Sequence, residues 1–157
     1  MKNSKTDQNG HSSLILLVDD NVQLQSVLKI GMEMYGFRTI TASDGIDALE
    51  QYRARSGDFN AIVTDNEMPH MNGLEFVRSV REIGFTGPIV VISGLLKTAD
   101  LRTYQQYGIN GFVRKPFAIS MLATMLLPER CHQRMSPTLI HKGRALRRHS
   151  ASSIPEI

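Results

Sequence analysis

Five short apolar runs recur along the chain at regular intervals, and helical patterns fill the segments between them. Three of the runs are almost wholly apolar, which is typical of parallel strands covered on both faces. They are LILLV (14–18), RTITA (38–42), FNAIVT (59–64), PIVVIS (88–93) and GFVR (111–114). This alternation constrains the fold more than any other feature, because parallel strands need a crossover helix between them.

The segments between the runs carry helical periodicity. In the first segment, Leu24, Val27, Leu28 and Gly31 follow the i, i+3, i+4, i+7 spacing of one helix face. The apolar positions of the next three helices are Ile46 with Leu49, Leu74 with Val77 and Val80, and, over about 98–107, Leu101 with Tyr104. The first, third and fourth helices are followed by Gly36, Gly84 and Gly108, which mark their ends. The sequence therefore predicts one α/β domain with a doubly wound five-stranded parallel sheet.

Composition excludes several classes of protein. The chain has 157 residues and is 41% hydrophobic, which suits one domain with a core and excludes a disordered chain. Residues 1–13 are polar and unlike a secretory signal, and no apolar run is long enough to span a membrane. Cys131 is the only cysteine, so we expect no intrachain disulfide, no cysteine zinc site and a reducing, cytoplasmic setting.

The net charge of +3 is unevenly distributed. Residues 1–128 carry 12 basic and 13 acidic side chains, whereas residues 129–157 carry 6 basic and 2 acidic side chains. The basic excess therefore belongs to the end of the chain. We expect a polar N-terminal extension (1–13), one folded domain (14–128) and a flexible basic tail (129–157).

Ionisable and hydroxyl side chains follow four of the five predicted strands. Asp19 and Asp20 end the first strand, Asp65 ends the third, Ser93 the fourth and Lys115 the fifth. The carboxyl ends of parallel strands meet at one edge of a sheet, so these groups should share one rim. The second strand lacks such a group, which is explained if it lies at the edge, as in the flavodoxin-like order 2-1-3-4-5.

The groups at this rim suit phosphoryl chemistry. Three carboxylates repel one another and need a cation, and hard oxygen ligands with room for waters favour Mg²⁺. Lys115 adds a fixed positive charge and Ser93 adds a hydroxyl. With Asp65 as the nucleophile, the metal and Lys115 would neutralise the phosphoryl oxygens.

Four motifs stand in order between residues 14 and 127. They are LLVDDN, VTDNEMPHMNGLEF, VVISG and FVRKPF. Together, and at this spacing, they resemble the receiver domain of two-component response regulators over nearly the whole predicted domain. The resemblance implies a stand-alone, chemotaxis-receiver-like switch that accepts a phosphoryl group from a histidine kinase or phosphotransfer protein. Such a domain catalyses only its own phosphorylation and dephosphorylation and is not an enzyme with external turnover.

The resemblance also implies a phosphoacceptor and its metal ligands. Asp65 matches the phosphoacceptor. Asp20, Asp65 and the backbone carbonyl of Glu67 match the Mg²⁺ ligands, with Asp19 acting mainly through water. The Glu67 side chain, one step from the metal-binding carbonyl, is expected to tune hydrolysis of the acyl phosphate. His70 lies further along the same loop and is expected to be solvated.

Further positions match the switch residues of the family. Ser93 corresponds to the switch hydroxyl and Lys115 to the switch lysine. Phe112, three residues before Lys115, corresponds to the switch aromatic. Pro116 corresponds to a proline whose preceding peptide bond is often cis, a state that is costly for any bond other than X-Pro.

The last predicted helix, AISMLATMLL (118–127), contains no charged residue. Its inward stripe is predicted to be Ile119, Leu122, Ala123 and Leu126. Met121, Met125 and Leu127 are left on other faces, and adaptable methionines suit a partner surface. We therefore expect the fourth helix, fifth strand and last helix to bind a downstream protein or a second copy of the chain.

Two other functions remain open at the level of sequence. Phosphatases of the haloacid dehalogenase type also combine an aspartate nucleophile with Mg²⁺, Ser or Thr, and Lys. Their nucleophile lies in an early D-x-D motif, however, whereas here the acidic pair comes first and Asp65-Asn66-Glu67 is not D-x-D. The tail segment HKGRALRRHS (141–150) could instead bind nucleic acid, although a solvated tail is the expectation.

Overall fold

A computed structural model describes residues 13–55, 58–95 and 98–126 of the chain. Strands and helices alternate along these residues. The strands are β1 (Leu14–Val18), β2 (Arg38–Ala42), β3 (Ala61–Asp65), β4 (Ile89–Ser93) and β5 (Gly111–Arg114). The helices are α1 (Val22–Met34), α2 (Gly45–Ala54), α3 (Gly73–Glu82), α4 (Thr98–Gln106) and α5 (Ile119–Leu126). The predictions for residues 1–12 and for the tail, including Cys131, lie outside the described residues.

The strands form one parallel sheet in the order β2-β1-β3-β4-β5. The predicted doubly wound, flavodoxin-like order is therefore confirmed, with β2 at the edge. Every residue of β1, β3 and β4 is buried, whereas the edge strands β2 and β5 are only partly covered. This distribution explains why the three central strands are apolar throughout, since helices cover them on both faces.

Two strands differ from their predicted bounds, and one of them, β3, also ends one residue later than predicted, at Asp65. β3 begins at Ala61, after Asn60, whose N–H donates to the Leu14 carbonyl at 2.8 Å and whose side-chain Oδ1, in place of a backbone carbonyl, accepts from the Leu14 N–H at 2.7 Å. β4 begins at Ile89, after Pro88, which has no N–H to donate to a neighbouring strand. The other three strands match the predicted bounds.

Two helical positions predicted to share a buried face are exposed. Val27 is 55% exposed, because the buried face of α1 runs through Leu28, Gly31 and Met32. Ile46 is 46% exposed at the start of α2, whose buried side holds Leu49. Spacing alone did not determine which side of each helix faces the sheet.

The predicted inward stripe of α5 and the predicted terminal glycines agree with the structure. In α5, Leu122, Ala123 and Leu126 are buried and Ile119 is half-buried. The glycines that follow α1, α3 and α4 have φ values of +85°, +99° and +62°, which favour glycine and end each helix. Within the described ranges, no helix is both long and apolar enough to cross a lipid bilayer.

Candidate functional site

Asp65 is the last residue of β3, and its carboxylate is buried at the rim of the sheet with 4% of the residue exposed. Oδ1 lies 2.7 Å from Nζ of Lys115, and Oδ2 accepts a 3.1 Å hydrogen bond from the N–H of Glu67. Since β1 and β4 hold β3 from both sides, the strand presents this carboxylate at a defined depth. One of its oxygens faces a cation and the other faces a backbone donor.

Asp19 is the second buried carboxylate of the rim. It follows β1, is 1% exposed, and its Oδ2 lies 3.1 Å from Nζ of Lys115. Its Oδ1 accepts a 2.8 Å hydrogen bond from the N–H of Asn21. The structure therefore brings Asp19, Asp65 and Lys115 together, because the parallel pairing of β1 with β3 places the two strand ends side by side.

Burial and the neighbouring charges act against each other in this group. It raises the pKa of Asp65 above its ordinary value and the charge of Asp19 adds to the rise, while Lys115 and the Glu67 N–H oppose it. Burial alone would lower the pKa of Lys115, but the hydrogen bond and charge of Asp65, together with Asp19, raise it instead. Two buried carboxylates thus share one ammonium, and the ionised group retains an excess negative charge.

Asp20 and Glu67 follow the two buried carboxylates in sequence, and both are exposed. Among the residues that the structure describes, no three carboxylate, imidazole or thiolate side chains lie close enough together to hold a metal ion. The charged side chain that contacts both buried carboxylates is Lys115, and no third carboxylate takes that place among the described residues. The donors nevertheless fit a hard divalent cation, because they are all oxygens and the buried group has an excess negative charge.

Ser93 is the last residue of β4, and Phe112 lies on β5. Ser93 is 1% exposed, and its Oγ accepts a 3.2 Å hydrogen bond from the N–H of Leu95. The carbonyl of Ser93 accepts a 2.9 Å bond from the N–H of Lys115, which ties the two strand ends together. Phe112 is half-buried, and the peptide bond that precedes Pro116 is cis.

Sequence reasoning missed the contact between His70 and α2. His70 is 69% exposed, has a φ of +62°, and its Nδ1 lies 2.8 Å from Oδ2 of Asp44, the N-cap of α2. The N–H of Asp47 first, and then His70, lower the pKa of Asp44 below its ordinary value. Asp44 carries a recognisable N-cap signal, but 26 residues separate it from His70, so no local pattern could pair them.

Sequence reasoning also missed a polar contact of Tyr104 and an exposed stripe on α1. The Tyr104 hydroxyl donates a 2.6 Å hydrogen bond to Oδ1 of Asn66, the residue after the candidate nucleophile. On α1, Val27, Ile30 and Met34 follow i, i+3, i+7 spacing and are 55%, 62% and 83% exposed. The apolar side chains of α1 were expected to define one inward face, yet the helix has a second apolar face toward solvent.

Comparison with known proteins identifies one family. The family model of the response regulator receiver domain matches residues 15–127. Over 125 residues the chain is 31% identical to the osmosensing histidine protein kinase SLN1 of Saccharomyces cerevisiae, covering 76% of this chain and 10% of that protein. The chain therefore spans a tenth of the length of this curated relative.

Solved structures with this fold come from several bacteria. Chemotaxis protein CheY4 of Vibrio cholerae is 28% identical with a TM-score of 0.67, covering 73% of this chain and 95% of that one. A CheX–CheY–BeF3–Mg complex from Borrelia burgdorferi contains a chain that is 24% identical with a TM-score of 0.72, covering 78% and 92%. At 24% identity, the similarity to the Borrelia burgdorferi chain shows the fold alone.

Proposed function

The chain belongs to the response regulator receiver family, and on this basis we propose that Asp65 accepts a phosphoryl group from a histidine kinase or a phosphotransfer protein. The observation that carries the proposal is the buried Asp65 carboxylate at a strand end, 2.7 Å from the ammonium of Lys115. A solvated salt bridge would not need this burial. A nucleophile that must meet phosphorus in one orientation benefits from it.

The residues of the rim have separable roles in this transfer. A carboxylate oxygen of Asp65 attacks phosphorus, the bond between phosphorus and the donor's imidazole nitrogen breaks, and an acyl phosphate forms. The ammonium of Lys115 binds the phosphoryl oxygens, and the hydroxyl of Ser93 turns to donate to one of them. Asp20, Asp65 and the Glu67 carbonyl are the residues that would hold Mg²⁺, which supplies further positive charge against those oxygens.

Phosphorylation would be transmitted to the face formed by α4, β5 and α5. The phosphoryl group adds roughly two negative charges to the rim, by analogy with other phosphorylated side chains. These charges attract Ser93 and Lys115, and the movement of Ser93 leaves space for Phe112 to turn inward. A downstream protein or a second copy that prefers this state shifts the population toward it by its differential affinity. Met121, which is 51% exposed on α5, offers such a partner an apolar contact.

The exposed stripe of α1 supports a protein as the donor. α1 begins three residues after Asp19, and Val22 at its first turn is 66% exposed. Further along the helix, Val27, Ile30 and Met34 form an exposed apolar stripe with i, i+3, i+7 spacing. Contiguous exposed apolar surface is typical of protein-binding sites. Ile30→Lys should therefore slow phosphorylation by a protein donor and leave phosphorylation by a small donor unchanged.

Labelling with a small phosphodonor tests the central proposal. The wild-type protein, incubated with acetyl phosphate and Mg²⁺, should carry an acid-stable, base-labile adduct that peptide mass spectrometry locates at Asp65. Asp65→Asn should abolish the adduct, whereas Asp58→Asn, at an exposed aspartate, should not. EDTA should abolish labelling of the wild type. Equal labelling of wild type and Asp65→Asn would exclude the assignment.

Two further outcomes separate this function from the alternatives. Release of phosphate from a generic phosphomonoester at many turnovers would instead indicate a phosphatase. Salt-sensitive binding of nucleic acid by the tail peptide (129–157) would add a function that lies outside the described residues. We retain the folded domain at 14–128 and a cytoplasmic location as parts of the proposal.

A further inference from the structure

Tyr104 is a fully buried side chain of α4 whose only side-chain polar atom contacts the turn after Asp65. Its exposure is 0%, and its hydroxyl donates a 2.6 Å hydrogen bond to Oδ1 of Asn66. Burial first, and then the charges of Asp100 and Asp65, raise the pKa of Tyr104, so the hydroxyl remains a donor. Breaking this bond would leave a buried donor unsatisfied, which is costly.

Asn66 is anchored to three different elements. Its N–H donates to the carbonyl of Ile92 on β4 at 2.9 Å, and its carbonyl accepts from the N–H of Gly73 on α3 at 3.0 Å. Tyr104 adds the contact to α4 through the side chain. The two backbone bonds fix the position of Asn66 relative to the sheet and α3. Because of the side-chain bond, its position also depends on α4.

The anchored turn carries the donor that orients the nucleophile. Asn66 stands between Asp65 and Glu67, and the Glu67 N–H donates to Oδ2 of Asp65 at 3.1 Å. A Cβ on Gly73 would lie 2.9 Å from the Tyr104 hydroxyl, so the hydroxyl sits directly against the backbone at this point. Tyr104 therefore both bonds to the turn and fills the space beside it.

We propose that Tyr104 is a positioning residue for phosphoryl transfer at Asp65, a role that rests on the function proposed above. Its hydroxyl holds Asn66 and thereby keeps the Glu67 N–H on the carboxylate. The ring of Tyr104 also packs edge-on against Phe112, with ring centroids 5.2 Å apart and planes at 78°. One side chain thus contacts the turn after the nucleophile and the predicted switch aromatic.

Amide hydrogen exchange in the unphosphorylated protein gives the first test. Tyr104→Phe removes only the hydroxyl, and exchange of the Asn66 and Glu67 amides should accelerate roughly fivefold, as expected for loss of one net hydrogen bond. The matched control is Tyr107→Phe, which removes a hydroxyl one turn further along and should leave both amides unchanged. Unchanged exchange in Tyr104→Phe, or equal acceleration in both variants, would overturn the proposal.

A double-mutant cycle gives the second test. The rate of labelling by acetyl phosphate and the lifetime of the adduct are measured for Tyr104→Phe, Asn66→Ala and the double variant, where circular dichroism shows all three folded. Each single substitution should change the labelling rate or the adduct lifetime roughly fivefold. The double variant should show no larger change than either single variant, because both substitutions remove the same hydrogen bond. Additive effects would refute a role through Asn66. Absence of labelling on Asp65 in the wild type would refute the proposed function, and amide exchange would still decide whether Tyr104 holds the turn.

Discussion

Alanine in place of Gly73 should destabilise the protein, although alanine favours helices. Gly73 is the first residue of α3, and a Cβ added there would overlap the carbonyl oxygen of Asp65 and lie 2.9 Å from Cα of Asn66. Both are backbone atoms, so no change of rotamer can relieve the contact. Either α3 must move outward or the end of β3 must shift.

The magnitude follows from three opposed effects. Helix propensity alone predicts a gain of up to about 1 kcal/mol in the free energy of unfolding. Overpacking of a well-packed region typically costs about 1–3 kcal/mol. An outward shift also weakens the 3.0 Å hydrogen bond from the Gly73 N–H to the Asn66 carbonyl, a bond with a net contribution of about 1 kcal/mol. The net expectation is a destabilisation of about 1–3 kcal/mol.

Urea unfolding followed by circular dichroism measures this difference. Gly73→Ala should lower the urea concentration at the midpoint of unfolding. The dependence of the free energy of unfolding on urea concentration should stay unchanged. Gly94→Ala is the matched control, because a Cβ at Gly94 would meet nothing within 4 Å. The control should stay within about 0.5 kcal/mol of the wild type. A Gly73→Ala protein as stable as the wild type, or more stable, would refute the argument from close packing.

Three further predictions concern other parts of the domain. Glu67→Ala should change the lifetime of the acyl phosphate, measured by loss of the adduct mass, and should leave the midpoint of urea unfolding unchanged. An unchanged lifetime would refute a role of the Glu67 side chain in hydrolysis. Arg81 donates to four backbone carbonyl oxygens, so Arg81→Lys should destabilise the protein by about 2–3 kcal/mol in urea, whereas the exposed Arg78→Lys should stay within about 0.5 kcal/mol. Asp44→Ala should cost about 1–2 kcal/mol at neutral pH because α2 loses its N-cap and His70 its partner. Since the pKa of Asp44 is lowered on folding, its carboxylate stabilises the protein above the ordinary pKa, and this stability is lost as the pH falls through the lowered value. The difference in the free energy of unfolding between Asp44→Ala and the wild type should therefore become smaller in acid. A difference that does not change with pH would contradict this role of the Asp44 carboxylate.

The sequence by itself determined the sheet and most of its rim. Central parallel strands are buried on both faces, so their apolar composition is a local property that can be read without knowing their neighbours. The predicted bounds of the central strand β1 were correct for this reason. Those of the edge strands β2 and β5 were also correct, and β3 and β4 differed by one or two residues at their ends.

The position of the charged groups was also predictable. The carboxyl ends of parallel strands lie at the same edge, so Asp19, Asp65, Ser93 and Lys115 had to share a rim once the strands were assigned. Their roles in phosphoryl transfer and the set of Mg²⁺ ligands remain predictions. The sequence could not reveal that Lys115, not a third carboxylate, contacts both buried aspartates.

Only the tertiary structure decided the contacts between side chains of distant segments. The exposure of Val27 depends on how α1 is rotated about its axis against the sheet. The apolar spacing of the helix is compatible with two rotations that differ by one residue position, so it could not decide whether Val27 is buried. The bonds of His70 to Asp44 and of Tyr104 to Asn66 join residues 26 and 38 positions apart. A local pattern records which face of an element is apolar, but a hydrogen bond between two elements depends on their relative position, and that is set by the packing of the whole core.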